Sequence, residues 1–114
     1  MAKKNLTYRP PLEVSQAAAK GLLLRRQFGR GGTMVGVARA RDLKNRRHVS
    51  GKTIFRMVSY FRRHAVDRQA PGFGNDDNPS PGYVAWLLWG GDAGAYWAER
   101  KKQKMKKSNQ RKTR

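Results

Sequence analysis

Three stretches of this 114-residue chain hold residue types that do chemistry elsewhere. "SGKT" at Ser50–Thr53 matches the end of a phosphate-binding loop. That loop also requires a glycine where Arg46 stands, to turn the backbone around phosphate, and a strand before it. "NRRHVSGKT" offers neither, so the stretch reads as the capped start of a helix. His64 and Asp67, one helical turn apart in "RRHAVD", are spaced for a helix-end hydrogen bond. A hydrolase would need a nucleophile or a metal around them. His48 is the only other histidine, and "GNDDNPSPG" fails the spacing of a calcium loop. The expectation is a non-enzymatic protein with no catalytic residues, no metal and no cofactor.

Anion binding is better represented. In "FGRGGT" a glycine-rich turn feeds a helix N-terminus, whose free N–H groups and Arg30 suit an anion. The same glycines also suit a tight interhelical turn that needs positive φ. In "RARDLKNRRH", Arg39 and Asp42 are spaced to pair, whereas Arg41, Lys44, Arg46 and Arg47 have no acid nearby in the sequence. Lys52, Arg56 and Arg63 recur along one helix, and Lys101, Lys102, Lys104, Lys106, Lys107, Arg111, Lys112 and Arg114 fill the C-terminus. Together with Arg30 these are the candidate nucleic-acid-binding residues, through contact with the phosphate backbone. Trp86, Trp89 and Trp97 are the stacking candidates, but they flank Gly90-Gly91 among Val84, Leu87 and Leu88. Two short helices folding back there would bury the rings against each other and Phe61. Their indole N–H groups would then find carbonyls of the 68–82 loop.

The charge balance agrees with this emphasis. Twenty-six Lys+Arg face seven Asp+Glu, a formal +19, which opposes compaction unless a polyanion or an acidic surface supplies counter-charge. Residues 99–114 carry nine basic residues and one acid, so the bias is shared between the tail and the rest. No cysteine is present, which excludes disulfides and thiolate metal sites. The longest apolar run, Tyr83–Trp89, is far shorter than the ~20 residues of a membrane span. The N-terminus lacks the apolar core of a signal peptide, and no membrane partner is expected.

The elements that must position these residues are helical. A basic extended arm (1–10) ends at Pro10-Pro11, and a helix follows with Val14, Ala18, Gly21, Leu22, Arg25 and Phe28 as its apolar stripe, stopping at Gly29. Thr33 caps a second helix, "MVGVARARDLKN", and Asn45–Val49 makes a basic turn. Ser50 caps a third, in which Ile54, Met57, Val58, Phe61 and Ala65 share one arc while Lys52, Arg56 and Arg63 fall opposite. Arg68–Gly82 is a loop. Ser80-Pro81 opens a short helix that ends at Trp89, and Asp92 is placed to cap the last one, with Ala93, Tyr96 and Trp97 on its apolar face. No segment alternates strongly enough to predict a strand. The predicted fold is all-α: a compact bundle of about five short helices (11–100) with a Trp-rich helical hairpin, a basic arm (1–10) and a basic tail (101–114).

"GLLLRRQFGRGGTMVGVARARDL" with "RMVSYFRRHAVD" and "PSPGYVAWLLWGGDAGAYWA" resembles a small module of tailed-bacteriophage and prophage proteins. Such modules are encoded near head-assembly genes or joined to prohead protease-like proteins. The similarity runs from about Tyr8 to Arg100 and carries no catalytic residues. It implies a phage origin and a place in the virion or the host cytoplasm. The expected function is a basic, head-associated phage protein that binds DNA without sequence preference. The alternative is a structural head component, a cement, decoration or minor capsid protein whose basic ends contact acidic capsid subunits. A continuous basic face would suit DNA, and patches on opposite faces would suit bridging between subunits.

Overall fold

The computed structural model describes residues 6–112, with side chains through residue 107. Among them the chain is all-α: α1 (Leu12–Phe28), α2 (Met34–Lys44), α3 (Gly51–Arg63), α4 (Pro81–Leu88) and α5 (Gly91–Lys112), with a 3-10 turn at Ala65–Gln69. Short polar side chains set three of the starts. Thr33 accepts from the Gly36 N–H at 3.3 Å, Ser50 from Thr53 at 3.2 Å and Ser80 from Tyr83 at 3.1 Å. Each satisfies one of the N–H groups that a first turn leaves free. At the other end of α1, Gly29 adopts the left-handed conformation and its N–H returns to the Arg25 carbonyl.

α1 packs against α2 and α4, and α3 packs against α5. The α1–α4 crossing depends on Gly21, where an added Cβ would lie 2.7 Å from the Leu88 backbone nitrogen. Leu43, Ile54, Met57, Leu88, Val14 and Val84 are fully buried between the helices. α4 and α5 form the expected hairpin at Gly90-Gly91, both at positive φ. Trp86 and Trp97 are buried in it, and the Trp86 ring meets Phe61 edge-on at 4.7 Å.

Several local expectations are corrected. A two-residue antiparallel pairing, β1 (Thr7–Tyr8) on β2 (Val49–Ser50), docks the N-terminal arm against the bundle. Two residues are too few to show alternation, so this contact left no periodic signal. Arg46 Nε donates to the Pro10 carbonyl at 2.8 Å and reinforces the docking. Arg46 is also the one non-glycine residue at positive φ among those described, at 53°. Asp92 does not cap α5. It accepts the Trp86 indole N–H at 2.8 Å and pairs with Arg68, taking the place foreseen for a loop carbonyl. Ala65 is exposed, because α3 ends at Arg63 and the 3-10 turn rotates it away. Tyr96 is 66% exposed, off the buried face of α5. The basic tail does not begin as a separate segment at Lys101, since α5 runs on to Lys112 and Met105 packs on the core.

Candidate nucleic-acid interface

A helix turns once every ~3.6 residues, so the positions of α2 sort into four lengthwise stripes. Gly36, Ala40 and Leu43 form the buried stripe that faces the bundle. Val37, Arg41 and Lys44 line a groove of about 480 Å³, whose other bank is Leu22, Leu23 and Arg26 of α1. On the opposite flank of α2, Thr33 and Val35 line a larger groove of about 840 Å³. Its far bank is the α3 ridge of Lys52, Arg56 and Arg63. The fourth stripe, Met34, Ala38, Arg41 and Asn45, points outward and is exposed, with Arg41 and Asn45 on its border with the smaller groove. One helix therefore stands between two basic banks.

An aromatic column closes the floor of the larger groove. The Tyr60 and Trp89 rings stack at 4.7 Å, and His64 stacks on the other face of Tyr60 at 4.5 Å. The Arg39 guanidinium lies 5.8 Å from the Trp89 centroid, held by Asp42 at 3.5 Å. Burial lowers the pKa of Arg39, and Arg56 across the groove adds to that effect against the attraction of Asp42. Tyr60 is only 5% exposed and its hydroxyl has no hydrogen-bond partner; burial pushes its pKa up. Because Tyr60 has His64 on one face and Trp89 on the other, neither of its faces is free to take a base. His64 Nδ1 lies 3.1 Å from Asp67, the helix-end contact foreseen from their spacing.

The candidate residues divide by what they touch. Arg41 and Lys44 face the smaller groove, and Lys52, Arg56 and Arg63 the larger. Among the described residues none of these five forms an ion pair, nor does Arg26. Arg47 is exposed but lies 3.9 Å from Asp42, so its lack of an acid neighbour is corrected: a turn of chain brings them together. Arg46 is committed to the N-terminal arm. Arg30 donates to Asn78 Oδ1 at 3.2 Å and to the Pro79 carbonyl at 3.1 Å, tethering the 68–82 loop. Gly31 and Gly32 take positive φ and pack on α4, the tight-turn role for "GRGGT". Lys101 lies over the Tyr8 ring and Lys102 over Phe55, while Lys104, Lys106 and Lys107 are exposed. The side chains of Arg111 and Lys112, and the whole of Arg114, lie outside the described residues.

Arg26 was missed as a groove residue, and Arg25 was read as part of an apolar stripe. Arg25 Nε in fact donates to the Gly31 carbonyl at 3.0 Å, and both arginines line the smaller groove. The signal available was their position in the last turn of α1, where basic residues suit the helix C-terminus and project past it. Tyr60 was missed because it sits at the edge of the α3 apolar arc, next to the basic ridge.

Four of the seven acids are paired with lysine or arginine, Asp76 with Lys20, Asp42 with Arg39 and Arg47, Glu99 with Arg62 and Asp92 with Arg68, and a fifth, Asp67, is in contact with His64. Among the described residues no helix is long and apolar enough to cross a membrane. Comparison with known proteins finds no matching family model, no matching curated protein and no matching solved structure.

Proposed function

We propose that this chain is a non-enzymatic protein that binds duplex DNA through its phosphates, with little preference for sequence. The observation that carries the reading is the set of six unpaired cationic heads flanking α2: Arg26, Arg41 and Lys44 on one side, and Lys52, Arg56 and Arg63 on the other. Unpaired charge facing solvent on both sides of one helix is costly self-repulsion in the free protein, and a polyanion relieves it. The exposed lysines of α5 add charge without shape. The resemblance of the helical core to tailed-phage modules supports a place beside packaged DNA in the phage head.

Titration of a mixed-sequence duplex at several salt concentrations tests the reading. Neutralising about six phosphates predicts a loss of ~10³-fold in affinity between 50 and 200 mM salt. A flat salt response, or no binding at low salt, overturns it.

A second reading has one observation in its favour. Pro11, Val14, Ala93, Tyr96 and Trp97 line an apolar cleft of about 310 Å³, with Arg100, Lys101 and Lys104 at its rim. Apolar lining with a basic rim suits an acidic protein surface, as a structural head component would require. Incorporation of the protein into heads that lack DNA distinguishes this from the first reading.

A further inference from the structure

The duplex-binding reading leaves open which part of the fold meets which part of the DNA. The exposed stripe of α2 is unusual for so basic a chain. Met34 is 70% exposed, the small Ala38 follows one turn on, and Val35, 63% exposed, stands beside them on the wall of the larger groove; Arg41 brings the first charge only in the next turn. Exposed apolar side chains on a basic surface gain nothing from water or from phosphate. They do fit a place where thymine methyl groups and base edges are presented between two phosphate strands.

The dimensions agree. An α-helix with its side chains is ~10–12 Å across, and the major groove of B-form DNA is ~12 Å wide. A helix lying in that groove has a phosphate strand on each flank. α2 has a basic bank on each flank, Arg26, Arg41 and Lys44 to one side and Lys52, Arg56 and Arg63 to the other. Its eleven residues span ~16 Å, enough to follow several base pairs. Asp42 is the one carboxylate on α2, and Arg39 and Arg47 both hold it, which blunts its repulsion of phosphate.

We infer that α2 is the DNA-docking element, seated in the major groove with Met34 and Ala38 toward the base edges and the two basic banks on the flanking phosphate strands. This rests on the duplex-binding reading above and deepens it. The polar heads of the outward stripe, Arg41 and Asn45, both belong to its C-terminal half, so over Met34 and Ala38 the insertion is by shape and charge. The deep, narrow major groove of A-form RNA does not admit a helix, and duplex RNA of the same sequence binds more weakly in consequence.

Dimethyl sulfate footprinting tests the inference on the full chain. The reagent methylates guanine N7 in the major groove and adenine N3 in the minor groove. On a saturated mixed-sequence duplex, N7 methylation falls several-fold and N3 methylation is unchanged. In parallel, Ala38→Glu is compared with Gln69→Glu, an exposed site of equal charge change that lines neither groove. Ala38→Glu weakens duplex binding by roughly tenfold or more, because its carboxylate sits between two phosphate strands, and Gln69→Glu has only a small effect. Circular dichroism checks that both variants keep the helical signal. Binding with N7 still reactive, or with the two variants equal, overturns the insertion of α2 and leaves the phosphate grip standing. No binding to duplex DNA overturns both.

Discussion

Tyr60 and Trp89 lie with their rings 4.7 Å apart and 9° from parallel, and this stack joins α3 to the C-terminal end of α4. Arg39 extends it to α2 and His64 caps it on α3, so one column of rings sets the width of the larger groove. The bank carrying Arg56 and Arg63 is held to the bank carrying Val35 by aromatic contact, since α2 and α3 share no extensive packing of their own.

The Tyr60 hydroxyl contributes nothing to that column. It is buried without a partner, and an unsatisfied buried hydroxyl costs ~1–3 kcal/mol. Tyr60→Phe keeps the ring and removes the cost. A thermal melt should show an unchanged or raised Tm, and a drop of several degrees would mean the hydroxyl has a partner in solution.

Gly21→Ala should have the opposite effect. The new methyl would meet the Leu88 nitrogen at 2.7 Å and the Leu87 carbonyl carbon at 3.0 Å, both backbone atoms that a rotamer change cannot clear. Separating α1 from α4 costs ~1–3 kcal/mol or more, as overpacking does. Denaturant titration measures it, and a neutral result would mean that α1 and α4 can part at Gly21 without loss of packing.

Asp76 ties α1 to the loop before α4, accepting from Lys20 Nζ at 2.8 Å and from the Tyr83 hydroxyl at 2.8 Å. Lys20 first and then Tyr83 hold its pKa below the usual aspartate value, and the same contact with Asp76 raises that of Lys20. A carboxylate with a depressed folded pKa stabilises above its unfolded value and loses that contribution as pH falls through the folded one. A lysine with a raised pKa stabilises below its unfolded value and loses the contribution as pH rises through the folded one. The pair therefore supports the fold across the neutral range and fails at both extremes. The Asp76→Asn variant should show a smaller fall in Tm on acidification than the wild type. Because both head groups are about half exposed, the difference should shrink in high salt.

Two truncations separate charge from packing in the C-terminal region. Ending the chain at Lys107 removes Arg111, Lys112 and Arg114, taking the net charge from +19 to +16, and should leave Tm unchanged while reducing the salt slope. Ending it at Arg100 also removes Met105, which lies against Gly51 and the core, and the lysine over Tyr8. That cut should lower Tm. Equal melting of both would return residues 101–107 to the role of a solvated extension.

Much of the fold was legible in the sequence because its signals are local. Thr33, Ser50, Ser80 and Gly29 mark helix ends by chemistry within a few residues, and the α3 arc from Ile54 to Phe61 is strict enough to name its buried face. What could not be read depends on distant partners. The Thr7–Tyr8 pairing with Val49–Ser50 and the diversion of Asp92 to Arg68 each require the chain to have folded first. The candidate site divides in the same way. The Lys52–Arg56–Arg63 ridge follows from helical periodicity, but its position across α2 from Arg41 and Lys44 follows from packing alone.

The continuation of α5 through Lys107 changes how its charges can be counted. On a flexible strand every lysine can swing toward the same polyanion. On a helix at ~100° per residue, Lys101, Lys102, Lys104, Lys106 and Lys107 point in five directions around the axis. Lys101 and Lys102 lean on Tyr8 and Phe55, leaving the other three spread about the free sides. Under the proposed duplex binding, a single duplex laid along this helix would meet only part of that set, and the remaining ammonium groups would stay directed outward, free for a second polyanion.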